Sequence, residues 1–208
     1  MARTAMFLCA LGVALTVGAA TRAQNAKPAA NDAAFKDKVE VCSYCHGPSG
    51  VSQIEGVPNL AGEPDLFTEW QLVYFRGETR KNDQMTPAAK DLTDMDIRNL
   101  GAYFATLPGA APTAPDSDPA LTQAGAKLAK EGHCAQCHSD AFVGQGEIPR
   151  LAGQREEFLV KALHDYQSGA RLGGGNVIMP EIAYSLTDDD IGALAHFMSR
   201  QSGKGARQ

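Results

Sequence analysis

The sequence predicts an all-α protein made of two tandem copies of one small helical unit, joined by a proline-rich linker. Three observations carry that reading. Blocks of the first half recur in the second at a nearly constant offset. No segment of either copy alternates apolar and polar residues as a strand does. Four prolines fall between the copies, at positions 108, 112, 115 and 119. Val41-Cys-Ser-Tyr-Cys-His46 returns as His133-Cys-Ala-Gln-Cys-His138, and Val57-Pro-Asn-Leu-Ala-Gly62 as Ile148-Pro-Arg-Leu-Ala-Gly153, at offsets of 92 and 91. Phe75, Gly77 and Arg80 are echoed by Tyr166, Gly169 and Arg171. Met85 returns as Met179, and Leu92-Thr-Asp94 as Leu186-Thr-Asp188, both at an offset of 94. Self-similarity of this kind marks one supersecondary unit used twice.

In chain order, residues 1–23 read as a secretory signal peptide. Arg3 precedes a run of apolar and small residues from Ala5 to Ala20, and Ala19, Ala20 and Ala23 offer small-residue cleavage sites. The run is short for a membrane span, which needs about 20 apolar residues; a retained N-terminal anchor is its other use. Domain 1 is expected at 24–108, the linker at 109–118, domain 2 at 119–203 and a frayed tail at 204–208. Asp32 to Val41 and Pro119 to Glu131 are helix-length segments that run into the cysteine motifs. Asp118 supplies a capping side chain and Pro119 the first helical residue. Glu63 to Arg76 and Gln154 to Tyr166 give each copy a further helix. Thr93-Asp-Met-Asp96 and Thr187-Asp-Asp-Asp190 open the last helix of each, with threonine as cap and acids in the first turn. Ile97, Leu100, Ala102, Tyr103 and Phe104 then face a core. A unit of this size is small for an independent core, and a large bound apolar group would make up the shortfall.

Of five cysteines, Cys9 lies in the predicted leader, so the mature chain keeps two C-x-x-C pairs with none left over. Loss of Arg3 and Arg22 from the 19 basic residues leaves 17 against 24 acidic ones, a net charge of −7. No basic patch suggests nucleic acid as a partner.

C-x-x-C-H is the attachment signature of c-type haem. On a helical turn, Cys42 and Cys45 present their sulfurs on one side, within reach of the two vinyl groups of one porphyrin. His46, four residues after Cys42, aims its imidazole at the iron from the same face. Cys134, Cys137 and His138 repeat the arrangement, so two covalently bound haem c groups are expected. A zinc ribbon would place its second pair about 15–20 residues on, whereas these are 92 apart. A thioredoxin-like redox pair would need a βαβ setting, which is absent.

The repeat also filters the sixth ligand, because a shared ligand should occur in both copies. His133, His164 and His196 fall opposite Val41, Val73 and Ala102. Met95 and Met198 fall opposite Asp189 and Phe104. Met85 and Met179 alone coincide, each closely followed by a proline (Pro87, Pro180). A methionine opposite histidine raises the iron potential and suits electron transfer.

These motifs together resemble the cytochrome c4 family of dihaem cytochromes: the two C-x-x-C-H sites, the two P-x-L-A-G segments, the M-x-P and M-P turns and the L-T-D…D-I helix starts. The resemblance spans nearly the whole mature chain. It implies two tandem class I cytochrome c domains with neighbouring haems. It also implies that Pro58 and Pro149 lend their carbonyls to the N–H groups of the two histidines. The sequence departs from the pattern at Ala33, where the second copy has the family's Gly125, so domain 1 is expected to pack differently there. The Gly173-Gly-Gly175 insertion lengthens the loop before Met179.

The function expected is outer-sphere electron transfer in the periplasm between respiratory partners, with no catalysis, since two protein ligands leave the iron no open position. The partners expected are redox proteins: a membrane oxidase or reductase, touched transiently, or a dehydrogenase. The alternative is a haem-carrying relay subunit of a dehydrogenase complex, for example one linked to a flavoprotein. A dihaem peroxidase is a further reading, which the paired methionines disfavour.

Overall fold

The computed structural model describes residues 33–112, 115–172 and 178–203. The predicted leader (1–23), the tail (204–208) and the Gly173-Gly-Gly175 insertion lie outside the described residues. Among the described residues the elements are helices, with one isolated bridge between Gln145 and Ile148. Also among them, no helix is long and apolar enough to cross a membrane.

The first unit contains α1 (Ala33–His46), α2 (Asp65–Arg76), α3 (Met85–Ala89) and α4 (Asp94–Thr106). The second contains α5 (Pro119–Glu131), α6 (Ala135–His138), α7 (Glu156–Gln167), α8 (Ile178–Tyr184) and α9 (Asp188–Ser199). The local signals act as expected. Thr93 and Thr187 each close a capping box with the aspartate three residues on, so one side chain satisfies the N3 amide while another reaches back to the cap amide. The Asp118 carboxylate accepts from the Leu121 N–H at 3.0 Å, ahead of Pro119 at the first helical position. The short helices α3 and α8 were not foreseen as helices. Each opens with or next to the candidate methionine.

The twin motif helices differ. In domain 1, α1 runs unbroken through Cys42, Cys45 and His46. In domain 2 the helix stops at Glu131. Gly132 caps it, His133 takes a left-handed backbone conformation (φ 53°), and α6 restarts after Cys134. Gly132 keeps an ordinary negative φ of −79°, so the left-handed turn out of the helix falls on His133.

Each unit buries its own core. Phe35, Leu72, Phe75, Ala89, Ile97, Leu100 and Phe104 form the first, and Ala129, Phe142, Ala152, Leu159, Leu194, Ala195 and Met198 the second. Of the residues expected to face the first core, Ile97, Leu100 and Phe104 are buried, while Ala102 and Tyr103 stay half-exposed. Burying one such large side chain contributes about 1.5–3 kcal/mol.

The two copies solve helix crossing with different glycines. At Gly125, α5 meets α9 so closely that a Cβ would collide with the Ala193 carbonyl oxygen and lie 2.6 Å from Phe197 Cβ. Domain 1 has no glycine there; Phe35 of α1 instead meets Tyr103 of α4 edge-on, with centroids 5.9 Å apart. Its glycine is Gly101 on α4, where a Cβ would lie 2.8 Å from the Asp65 carbonyl oxygen of α2. The different packing expected from Ala33 and Gly125 is therefore present.

The start of the linker is docked rather than free. Gly62 and Gly153, twins in the repeat, both hold positive φ (72° and 70°) and both touch it. A Cβ on Gly62 would lie 2.8 Å from Gly109 Cα, and one on Gly153 would strike the Ala110 carbonyl oxygen. At its far end, Asp116 lies 3.1 Å from buried His196, whose other ring nitrogen is 3.1 Å from Glu156.

Gly125→Ala should lower domain 2 stability by about 1–3 kcal/mol through overpacking. Gly192→Ala, on the open face of α9 with nothing near its Cβ, should stabilise slightly or change nothing. Urea unfolding followed by circular dichroism checks both; equal effects would mean that the crossing is not tight.

Candidate functional site

The site of each unit begins at a histidine. His46 and His138 end α1 and α6, and both are buried. The Nδ1 atom of His46 lies 2.8 Å from the Pro58 carbonyl oxygen, and that of His138 lies 2.9 Å from the Pro149 carbonyl oxygen. A carbonyl only accepts, so Nδ1 carries the proton and donates, and Nε2 keeps its lone pair. Burial lowers the pKa of both rings, and the carbonyl contact opposes it. The neutral ring is thereby favoured, with one fixed orientation and one nitrogen free to bind a metal.

The cysteines sit beside these rings. Cys42 and Cys134 are half-buried against the two cores, whereas Cys45 and Cys137 are exposed, and none of the four forms a disulfide. Burial pushes the Cys42 thiol up to about 11, and burial also raises Cys134. Thiols that act as redox nucleophiles or metal ligands have lowered values. Among the described residues, no cluster of three or more His, Cys, Asp or Glu side chains could hold a bare metal ion. One free imidazole nitrogen and two unpaired sulfurs on the same short segment match a porphyrin tethered by thioethers, with its iron bound by histidine.

Met85 opens α3 and packs against the core that Cys42 also touches, while its N–H donates to Asn82 Oδ1 at 2.8 Å. Met179 lies in the first turn of α8, half-buried. The other candidates are placed elsewhere. Met95 is exposed and Met198 belongs to the second core. Both ring nitrogens of His196 face carboxylates, and His164 Nδ1 lies 3.1 Å from Gln167 Oε1.

Sequence reading missed a polar seam between the units. Asn59 donates from its N–H to Gln154 Oε1 at 2.7 Å and from Nδ2 to the Gly153 carbonyl at 2.9 Å. Gln154 Nε2 donates to the Asn59 carbonyl at 3.0 Å, and Arg150 N–H to Glu63 Oε2 at 3.0 Å. Arg80 and Arg171, also twins, converge on one acceptor, Gln71 Oε1. The signal was in the repeat: 59/150 and 63/154 are polar positions that differ within or beside otherwise matching P-x-L-A-G segments.

A helical unit with histidine and two cysteines so arranged, present twice, defines a dihaem c-type cytochrome. The comparisons with known proteins agree. The cytochrome c family model matches residues 122–202. The chain is 33% identical to cytochrome c4 of Azotobacter vinelandii over 192 residues, covering 83% of this chain and 90% of that one. It is 30% identical to a thiosulfate dehydrogenase electron acceptor of Thiomonas intermedia, covering 81% and 82%. Its fold matches the crystal structure of reduced recombinant cytochrome c4 from Pseudomonas stutzeri with a TM-score of 0.74 and 31% identity, covering 81% of this chain and 97% of that one. The chain belongs to the cytochrome c4 family, as a dihaem electron-transfer cytochrome with two class I domains and covalently bound haem c.

Two haem additions should therefore appear in the mass of the mature protein, and acid–acetone treatment should leave the colour with the polypeptide. Cys45→Ala or Cys137→Ala should remove one thioether and weaken retention in that domain alone. A single addition in the unaltered protein would contradict the paired site.

Proposed function

We propose that the protein is a periplasmic carrier that accepts and releases single electrons between respiratory redox proteins, and that it catalyses no substrate reaction. The observation that carries this reading is the doubled His–Pro contact, which leaves one oriented Nε2 per unit. When bound, the haems supply the one-electron ferric/ferrous couple. Cys42 and Cys45 hold one haem and Cys134 and Cys137 the other. His46 and His138, oriented by Pro58 and Pro149, would bind the two irons through Nε2, and Met85 and Met179 would supply the second protein ligand of each. With both ligands supplied by the protein, the iron would have no opening for substrate. The domains are taken as 24–108 and 119–203, with 109–118 between them and the leader removed on export.

Met85→Ala and Met179→Ala should each abolish about half of the near-infrared thioether-to-iron band and lower the potential of their own haem. Met95→Ala should leave the band intact. Loss of half the band in Met95→Ala, with Met85→Ala unchanged, would move the ligand of domain 1.

The relative named as a thiosulfate dehydrogenase electron acceptor favours a second reading, in which the carrier serves a dehydrogenase. Exposed Val41 and Tyr44 on α1 and Tyr184 on α8 supply apolar contact area for such a partner. The net negative charge should make reduction by a basic partner slow as ionic strength rises. Stopped-flow reduction at low and high salt checks this, and a rate independent of salt would mean that the apolar residues govern docking.

A further inference from the structure

The seam between the domains joins each histidine to a side chain of the opposite domain through a single peptide group. In domain 1, His46 Nδ1–H donates to the Pro58 carbonyl, and the N–H of that same peptide, on Asn59, donates across the interface to Gln154 Oε1 at 2.7 Å. In domain 2, His138 Nδ1–H donates to the Pro149 carbonyl, and the N–H of that peptide, on Arg150, donates back across the interface to Glu63 Oε2 at 3.0 Å. The two paths are twins in the repeat and differ at their ends. One ends on a neutral amide, the other on a carboxyl group.

We propose that Glu63, a residue of domain 1, is a positioning residue for the haem of domain 2, setting its affinity for an electron through the Pro149–Arg150 peptide and His138. This rests on the haem reading given above. A peptide whose N–H faces a carboxylate is polarised, and its carbonyl becomes a better acceptor. His138 then donates more strongly from Nδ1, its Nε2 becomes more basic, and the ferric state is favoured. A protonated Glu63 relaxes that pull. One-electron uptake from the donor protein at domain 2 and uptake of a solvent proton by Glu63 therefore favour one another. Gln154 cannot titrate, and Glu63 reaches the domain 1 path only through the Gln154 amide, 3.3 Å away, so domain 1 responds more weakly.

The surroundings place the proton exchange in an accessible range. Glu63 is 4% exposed. Burial pushes its carboxyl up to about 8, opposed by the Arg150 N–H, the Gln154 amide 3.3 Å away, and the charges of Arg150 and Arg171. Arg155, next to Gln154, reaches the Ser52 carbonyl on the same seam. The charged groups that these contacts bring to the seam from domain 2 are thus arginines. The expected direction follows: the domain 2 potential falls as pH rises through the Glu63 transition, and the domain 1 potential, one group further from Glu63, falls less.

The test is a redox titration of the holoprotein monitored by NMR, which resolves the two irons, between about pH 6 and about pH 10. In the unaltered protein the reduction equilibrium of domain 2 relative to domain 1 should fall by about threefold or more across that range. Glu63→Gln should hold it at its low-pH value and shift the His138 Nδ1–H resonance toward that of His46. The exchange Glu63→Gln with Gln154→Glu should move the pH response to domain 1. A response of domain 2 that survives Glu63→Gln, or a flat response in the unaltered protein, would overturn the proposal. Haem content by mass, measured on the same samples, separates this from failure of the haem reading, which would show as missing haem.

Discussion

The contact between each histidine and its proline carbonyl is the constraint on which the rest depends. It ties the end of the motif helix to a loop 11 or 12 residues away. It fixes the tautomer, and so decides which nitrogen is free. The loop that supplies the carbonyl continues directly into the P-x-L-A-G segment, whose glycine turns the chain with positive φ into the next helix. One hydrogen bond thus connects the chemistry of the cysteine motif, the path of the loop and the start of α2 or α7.

The same loop forms the domain interface. Its amide groups, freed from any helix, need partners when buried, and they find them on the opposite domain: Asn59 on Gln154, Arg150 on Glu63. The linker completes the arrangement, since Gly62 and Gly153 leave room for Gly109 and Ala110 to lie against both copies. Duplication supplies the pseudo-symmetry, and single substitutions in one copy then differentiate the halves. Glu63 against Gln154 and Ala33 against Gly125 are such differences, one electrostatic and one steric. A buried glutamate is costly unless paired, and its raised pKa expresses that cost. Stability from this group is fullest when the carboxyl is protonated, below its ordinary value near 4.5, and is lost as pH rises toward about 8.

Much of the fold was legible because its signals are local. Thr93, Thr187, Asp118 and Pro119 act within three residues of themselves, so capping and helix starts follow from the chain alone. The end of α5 at Glu131 agrees with the expected segment Pro119 to Glu131, whereas α1 runs past the expected Val41 through the motif to His46. The short helices at Met85 and Ile178 were missed because five and seven residues are too few for periodicity to show. Met95 is exposed, and both ring nitrogens of His196 face carboxylates, neither of which spacing along the chain shows.

By itself, the sequence determined the duplication, the all-helical class and the two haem-attachment motifs. Each of these rests on spacing along the chain or on comparison of one copy with the other. Only the tertiary structure decided where the domains meet, which histidine nitrogen is free, how the linker docks, and that Glu63 of one domain lies on the peptide holding His138 of the other. The meeting of the domains and the position of Glu63 depend on groups 95 and 87 residues apart being brought within hydrogen-bond distance, and no local spacing encodes the relative placement of two folded units.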